Sequence, residues 1–260
     1  MSHQNLQQDA ALTNTYWTCP KTGIEMAVIP AGPFYFGSCG GVRLESSAYS
    51  LARYPVTNAQ WLDFIRDSQY RPDANQPQQE DYLKHWSDDM SPPKAEMDHP
   101  VTWISFIDAL HYVHWAGLEI PSEWCWEKAA RGIEGQPQPW AGSWYHLSSY
   151  QEIIHVGQEK TARVDAYSKT RTAFGCEQMI GNVSEFCLSV EDLDEQQVQR
   201  DTGLCLSTPS ASSVSADDLI ALRGSCYLRI RPDRMICSHR RRLSAGRRNS
   251  WTGLRVGWFE

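Results

Sequence analysis

Ile120-Pro121-Ser122-Glu123-Trp124-Cys125-Trp126-Glu127-Lys128-Ala129-Ala130-Arg131-Gly132 is the stretch on which the fold turns. It reads as a helix with Ser122 as N-cap, Glu123 at the positive end of the dipole and closure at Gly132. Upstream, Ser105-Phe106-Ile107-Asp108 is a capping box, followed by Ala109, Tyr112, Val113 and Ala116 on one face and a stop at Gly117. Further upstream, Thr57-Asn58-Ala59-Gln60 is another box ahead of Trp61, Leu62, Phe64 and Ile65, so three helices are expected. Residues 24–32 alternate as a strand, and Phe34-Tyr35-Phe36-Gly37 is read as its hairpin partner. The polar run from Asp67 to Asp98, with Pro72, Pro77, Pro92 and Pro93, reads as a long surface excursion. After Gly132 only short apolar pieces follow, and Ser207 to Asp218 reads as a flexible loop.

The charge pattern divides the chain. From Arg223 to Arg255 there are ten arginines, no lysine and one acid, Asp233, so this segment carries +9 in a chain of net charge -7. The remainder sums to about -16. An acidic body disfavours nucleic acid as partner, while a concentrated arginine surface with Tyr227, His239 and Trp251 between suits a protein or other anionic ligand. The alternative is that several arginines pair internally with carboxylates of the body and pin irregular loops.

At 260 residues, 41% hydrophobic and 21% charged, the composition is that of a globular protein able to bury a sizeable core. No apolar run reaches the length of a membrane span, and residues 1–15 are polar, without the pattern of a signal peptide. The expectation is a flexible tail over 1–15, one domain over 16–260 and a cytoplasmic location. The eight cysteines are then read as mostly reduced, and no CxxC pair suggests a zinc site. His111 and His114, at i, i+3 beside Tyr112 and Trp115, read as partly exposed helix residues rather than ligands.

Seven ordered blocks resemble one family, the formylglycine-generating-enzyme-like (sulfatase-modifying-factor) domain, whose fold is a variant of the C-type lectin fold. They are Met26 to Phe34 with Gly37-Ser38; Tyr54 to Trp61; His99-Pro100-Val101 with Ser105, Asp108 and Ala109; Ile120 to Gly132; Pro139-Trp140; Met179 to Cys187; and Arg223-Gly224-Ser225 with Gly253-Leu254-Arg255-Val256. The resemblance implies an α+β single domain with two or three helices, short antiparallel strands and much irregular loop. Glu123, Trp126, Arg131, Asn182 and Glu185 are then internal anchors.

Catalytic members of that family bind copper(I) through two cysteines four residues apart, soon after "R-G-G-S". Here the corresponding places fall near Leu228 and Asp233, and Cys226 and Cys237 are eleven apart. The resemblance therefore implies loss of the formylglycine-generating site. It also implies a calcium site at the "G-N-V-S-E" loop, formed by backbone carbonyls together with the Asn182 and Glu185 oxygens. The C-terminal segment resembles that of variable proteins of diversity-generating retroelements, in which 223–256 would be the ligand-binding face. The expected contacts are Cys226, Tyr227, Arg229, Arg231, His239, Arg241, Arg247, Asn249 and Trp251. A metal-dependent oxidoreductase or protein-modifying enzyme with an altered centre, using Cys226, Cys237 or His239, stands as the alternative.

Overall fold

The computed structural model describes residues 14–38, 41–87, 90–140, 147–189 and 207–259. The predicted tail over 1–15 lies outside the described residues except for its last two positions. Strands β1 (Tyr16–Thr18), β2 (Glu25–Ile29), β5 (Tyr49–Ala52) and β10 (Gly257–Phe259) form one antiparallel sheet in the order β1-β2-β5-β10. Strands β3 (Gly32–Phe36) and β4 (Val42–Ser46) make a separate hairpin. The third sheet has the order β8-β7-β6-β9, from β8 (Arg240–Ser244), β7 (Leu219–Arg223), β6 (Ser184–Cys187) and β9 (Thr252–Gly253); only the β6–β9 pair is parallel. The mixed α+β class is as expected.

The predicted pairing of the first strand with Phe34–Gly37 does not form. Pro30 and Ala31 separate β2 from β3, and the Lys128 ammonium donates to the Pro30 and Gly32 carbonyls, at 2.6 and 3.1 Å, and to Ser46 Oγ at 2.8 Å. That anchor turns the chain out of the first sheet, so β3 pairs with β4 instead.

The three expected helices are present as α1 (Asn58–Ser68), α2 (Phe106–Ala116) and α3 (Glu123–Arg131). In α1 the Gln60 N–H donates to Thr57 Oγ1 and the Thr57 N–H to Gln60 Oε1; in α2 Ser105 and Asp108 do the same. Ser122 Oγ accepts from the Cys125 N–H, and helices α2 and α3 end at Gly117 and Gly132. A fourth helix, α4 (Leu147–Ile153), was not anticipated. No helix among the described residues is long and apolar enough to cross a membrane.

The excursion from Asp67 to Asp98 is less superficial than its composition suggests. Tyr82, Leu83 and Trp86 are buried in the main core. The Trp61 indole N–H donates to Tyr82 Oη at 3.0 Å and the Trp86 N–H to Asn58 Oδ1 at 3.2 Å. Trp61 also stacks on Tyr112 at 5.1 Å. Large aromatic side chains thus anchor backbone that has no regular period. The loop from Ser207 to Asp218 is likewise tied down: Ala211, Val214 and Ala216 pack on the same core, and the Thr208 N–H donates to Glu119 Oε2.

Burial keeps His85, His99, His111, His155 and His239 below the ordinary imidazole range, His85 down to about 4. Between pH 6.5 and 4 the unfolded chain therefore binds more protons than the native one, and stability falls as pH drops through that window. His85, whose Nδ1 is shielded without a partner, contributes at most ~3 kcal/mol of this loss. Melting temperatures measured from pH 7.5 to 4.5 should fall steeply in the parent and less steeply in His85→Gln; identical slopes would remove His85 from the account.

Candidate functional site

Eight of the ten arginines of the basic segment divide evenly into anchors and cleft residues; Arg242 and Arg247 are exposed and belong to neither group. Arg255 is fully buried and forks onto Glu185, Nε to Oε2 at 2.9 Å and Nη2 to Oε1 at 2.8 Å, while also donating to the carbonyls of Ala52, Arg53 and Glu177. Arg248, also buried, forks onto Asp108 at 2.9 Å from Nε and Nη2 and holds the Pro77 and Gln78 carbonyls. Arg223 bonds Glu123, Glu127 and the Cys237 carbonyl, and Arg240 bonds Glu123. For these four the internal-pairing alternative is correct. Isolated, each of those carboxylates would be strongly penalised in the interior, so the arginines act as fixed counter-ions.

Four others, Arg229, Arg231, Arg234 and Arg241, gather at one end of the third sheet. β7 ends at Arg223, opposite Arg240 where β8 begins, and β9 starts at Thr252 beside Ser184, the start of β6. The chain leaving β7, the chain entering β8 and the chain entering β9 therefore meet at the same edge. They enclose a cleft of about 260 Å³ lined by Gly224, Ser225, Cys226, Leu228, Arg229, Arg231, Arg234, His239, Arg241 and Trp251. Gly224 makes the turn: its φ is +73°, and a Cβ there would sit 2.7 Å from the Met179 carbonyl oxygen.

Six of the nine predicted contacts, Cys226, Arg229, Arg231, His239, Arg241 and Trp251, line this cleft. Three do not. Tyr227 is buried, with its hydroxyl donating to Ser250 Oγ at 2.9 Å. Asn249 is buried as well, its Oδ1 accepting from the Trp251 N–H and the Thr252 hydroxyl. Arg247 is exposed but lies outside the cleft. Both Tyr227 and Asn249 are scaffold: Asn249 closes the turn 249–252 from inside, and Tyr227 ties the chain leaving β7 to Ser250. Arg234 and Leu228 line the cleft and were missed; the signal for Arg234 was its place in the same basic run.

Within the cleft the Arg241 guanidinium lies over the Trp251 ring, 4.3 Å from its centroid. Arg231 and Arg234 share Asp233 at 3.1 and 3.8 Å. His239 is held below the usual imidazole range by burial and by Arg234, Arg241 and Arg223, with its Nε2 shielded and without a hydrogen-bond partner. Burial pushes the Cys226 thiol up.

Neither a two-thiolate copper site nor the calcium site implied by the resemblance fits these residues. Cys226 lines the cleft, but Cys237 is wholly buried in the second core cluster and pushed up by burial. The two thiols do not converge on one pocket, so a two-thiolate site is not assembled from them. At the proposed calcium loop, Glu185 gives one oxygen to Arg255 and the other to both Arg255 and the Trp126 indole N–H, at 2.6 Å from the latter. Asn182 Oδ1 accepts from the Ala162 N–H, and its Nδ2 donates to the Ala162 carbonyl and Gln178. These donors are spent on the scaffold, and no group of three or more His, Cys, Asp or Glu among the described residues could hold a metal ion.

Comparison with known proteins agrees with this architecture. A hercynine oxygenase from Mycolicibacterium smegmatis is 27% identical over 89% of this chain, which spans 60% of that relative's length. The structure of PvdO from Pseudomonas aeruginosa superposes with a TM-score of 0.70 at 18% identity, covering 94% of this chain and 97% of that one. Variable protein 1 of Treponema denticola superposes at 0.65 with 16% identity, covering 95% and 99%. The model of the sulfatase-modifying factor enzyme 1-like domain matches residues 15–258. That match spans nearly the whole chain, and the chain belongs to the sulfatase-modifying factor enzyme 1-like domain family.

Proposed function

We propose that this chain is a non-catalytic binding module that takes an anionic ligand, a small molecule or an acidic protein segment, in the arginine-lined cleft. The observation that carries the reading is the composition of that cleft: four arginines, a histidine and a tryptophan edge, with no carboxylate among the lining residues. Arginine and tryptophan supply bidentate hydrogen bonding and rigid contact area, the chemistry of binding hot spots. Nucleic acid is a poor match, because the cationic area left after internal pairing is small and the body is acidic.

Its most specific form is a variable receptor of a diversity-generating retroelement. Within 223–256, anchors such as Arg223, Tyr227, Arg248, Asn249 and Arg255 are buried, while Arg229, Arg231 and Arg241 line an open surface. A segment so divided tolerates change at its cleft positions without loss of the scaffold. The fold-level neighbour from Treponema denticola, itself a variable protein, supports this form. A reverse-transcriptase gene and a template repeat beside the coding sequence are its test.

The competing reading is a metal-dependent oxidoreductase, favoured by Cys226 in the cleft and by the oxygenase relative. One experiment separates the two. The reduced protein is titrated with copper(I) and iron(II) and incubated aerobically with a cysteine-containing peptide. The binding reading expects neither stoichiometric metal nor peptide oxidation; tight metal with turnover would replace it by the enzyme. In parallel, Arg229→Ala/Arg231→Ala/Arg241→Ala should lose anion binding while melting only a few degrees below the parent, because Arg229 and Arg231 are exposed and half-buried Arg241 loses one cation–π contact.

A further inference from the structure

The cleft arginines are not equivalent. Arg231 and Arg234 have Asp233 between them. Arg229 and Arg241 have no ion pair among the described residues, and Arg241 is held flat against Trp251 without being neutralised. Two guanidinium forks thus face the cleft uncompensated, next to an imidazole whose Nε2 has no partner. Resting on the binding reading above, we infer that the ligand carries two negative charges, that these engage Arg229 and Arg241 separately, and that its arrival draws a proton onto His239.

A singly charged ligand would leave one fork desolvated without a counter-charge, and a neutral one would leave both. A dianion satisfies the two and still faces the shared Arg231–Arg234 pair. The charges around His239 are Arg223 at the end of β7, Arg234 and Asp233 in the turn 232–234, and Arg241 on β8. Three cations and one carboxylate, together with burial, keep the imidazole neutral near pH 7. An anion seated among the same cations offsets their repulsion, so the imidazole gains a proton on binding and becomes a further cationic contact. For a ligand that does not itself titrate, binding must then tighten as pH falls from 7.5 to 6.

Benzene-1,3-disulfonate and benzenesulfonate are suitable probes, since neither takes up protons in that range. Calorimetric titration of the full chain at pH 7 and fixed ionic strength, in two buffers of different ionisation enthalpy, reads affinity and proton uptake together. The disulfonate should bind about tenfold more tightly than the monosulfonate, the equivalent of one partly exposed ion pair. Its heat should depend on the buffer, reporting uptake of part of a proton. Arg229→Ala/Arg241→Ala should erase the preference for the disulfonate. His239→Gln, checked by its melting curve, should bind the disulfonate more weakly and lose the buffer dependence. Equal affinity for the two sulfonates overturns the dianion, and proton uptake persisting in His239→Gln overturns the role of His239. Binding of neither sulfonate, nor of a mixed panel of carboxylates and phosphates, would instead sink the binding reading itself.

Discussion

Arg255→Leu lowers the unfolding free energy by about 3–5 kcal/mol, the cost of leaving one member of a buried pair uncompensated. Both partners are fully buried, and the arginine is also the donor for three backbone carbonyls from two distant parts of the chain. For a domain of this size the loss corresponds to roughly 6–20 °C in melting temperature. Denaturant titration followed by tryptophan fluorescence would measure it. Glu185→Leu/Arg255→Leu should be less destabilised than the sum of the two single variants, because no charge is left alone. A loss below about 1 kcal/mol in Arg255→Leu would mean that water reaches Glu185, and the anchor role would fail.

Trp126→Ala should cost about 3–5 kcal/mol from the cavity alone. The ring is wholly buried, the Arg223 guanidinium sits 5.5 Å from its centroid, and its indole N–H donates to Glu185. Trp126→Phe fills most of the space but leaves that carboxylate oxygen short of a donor, so about 1–3 kcal/mol is expected. The difference between the two variants separates packing from hydrogen bonding. Because the ring edge lies 3.4 Å from where a Gly224 Cβ would be, Trp126→Ala should also weaken anion binding. An alanine variant no worse than the phenylalanine one would show that the core collapses around the site.

The stretch from Ile120 to Gly132 was legible because its signals are local: a capping serine, a dipole-matched glutamate and a terminal glycine all lie within one helix. The same holds for the boxes at Thr57 and Ser105. The hairpin assigned to 24–37 failed because pairing depends on Lys128, nearly a hundred residues away, whose ammonium holds the bend. Tyr82 and Trp86 were hidden for a related reason: the core takes them one at a time from irregular backbone, and no period marks them.

At the site, the arginine run announced a cationic surface but not which arginines would remain at it. Arg248 and Arg247 are neighbours in sequence and opposite in fate, one locked onto Asp108 and the other exposed. That choice is made by carboxylates on α2, α3 and β6, and a linear reading has no access to it. Tyr227 and Asn249 look like surface recognition residues in composition, yet Asn249 closes a turn from within and Tyr227 is buried with its hydroxyl on Ser250.

The first sheet has a consequence for how the molecule is made. β5 lies between β2 and β10, so a strand from residues 49–52 waits for a partner from residues 257–259, and Arg255 binds a carbonyl 203 positions earlier. Such long-range pairing raises contact order and slows the search for the native state. During synthesis the edge of β5 stays open until almost the whole domain has left the ribosome, and an open strand edge of this kind invites strand-to-strand aggregation.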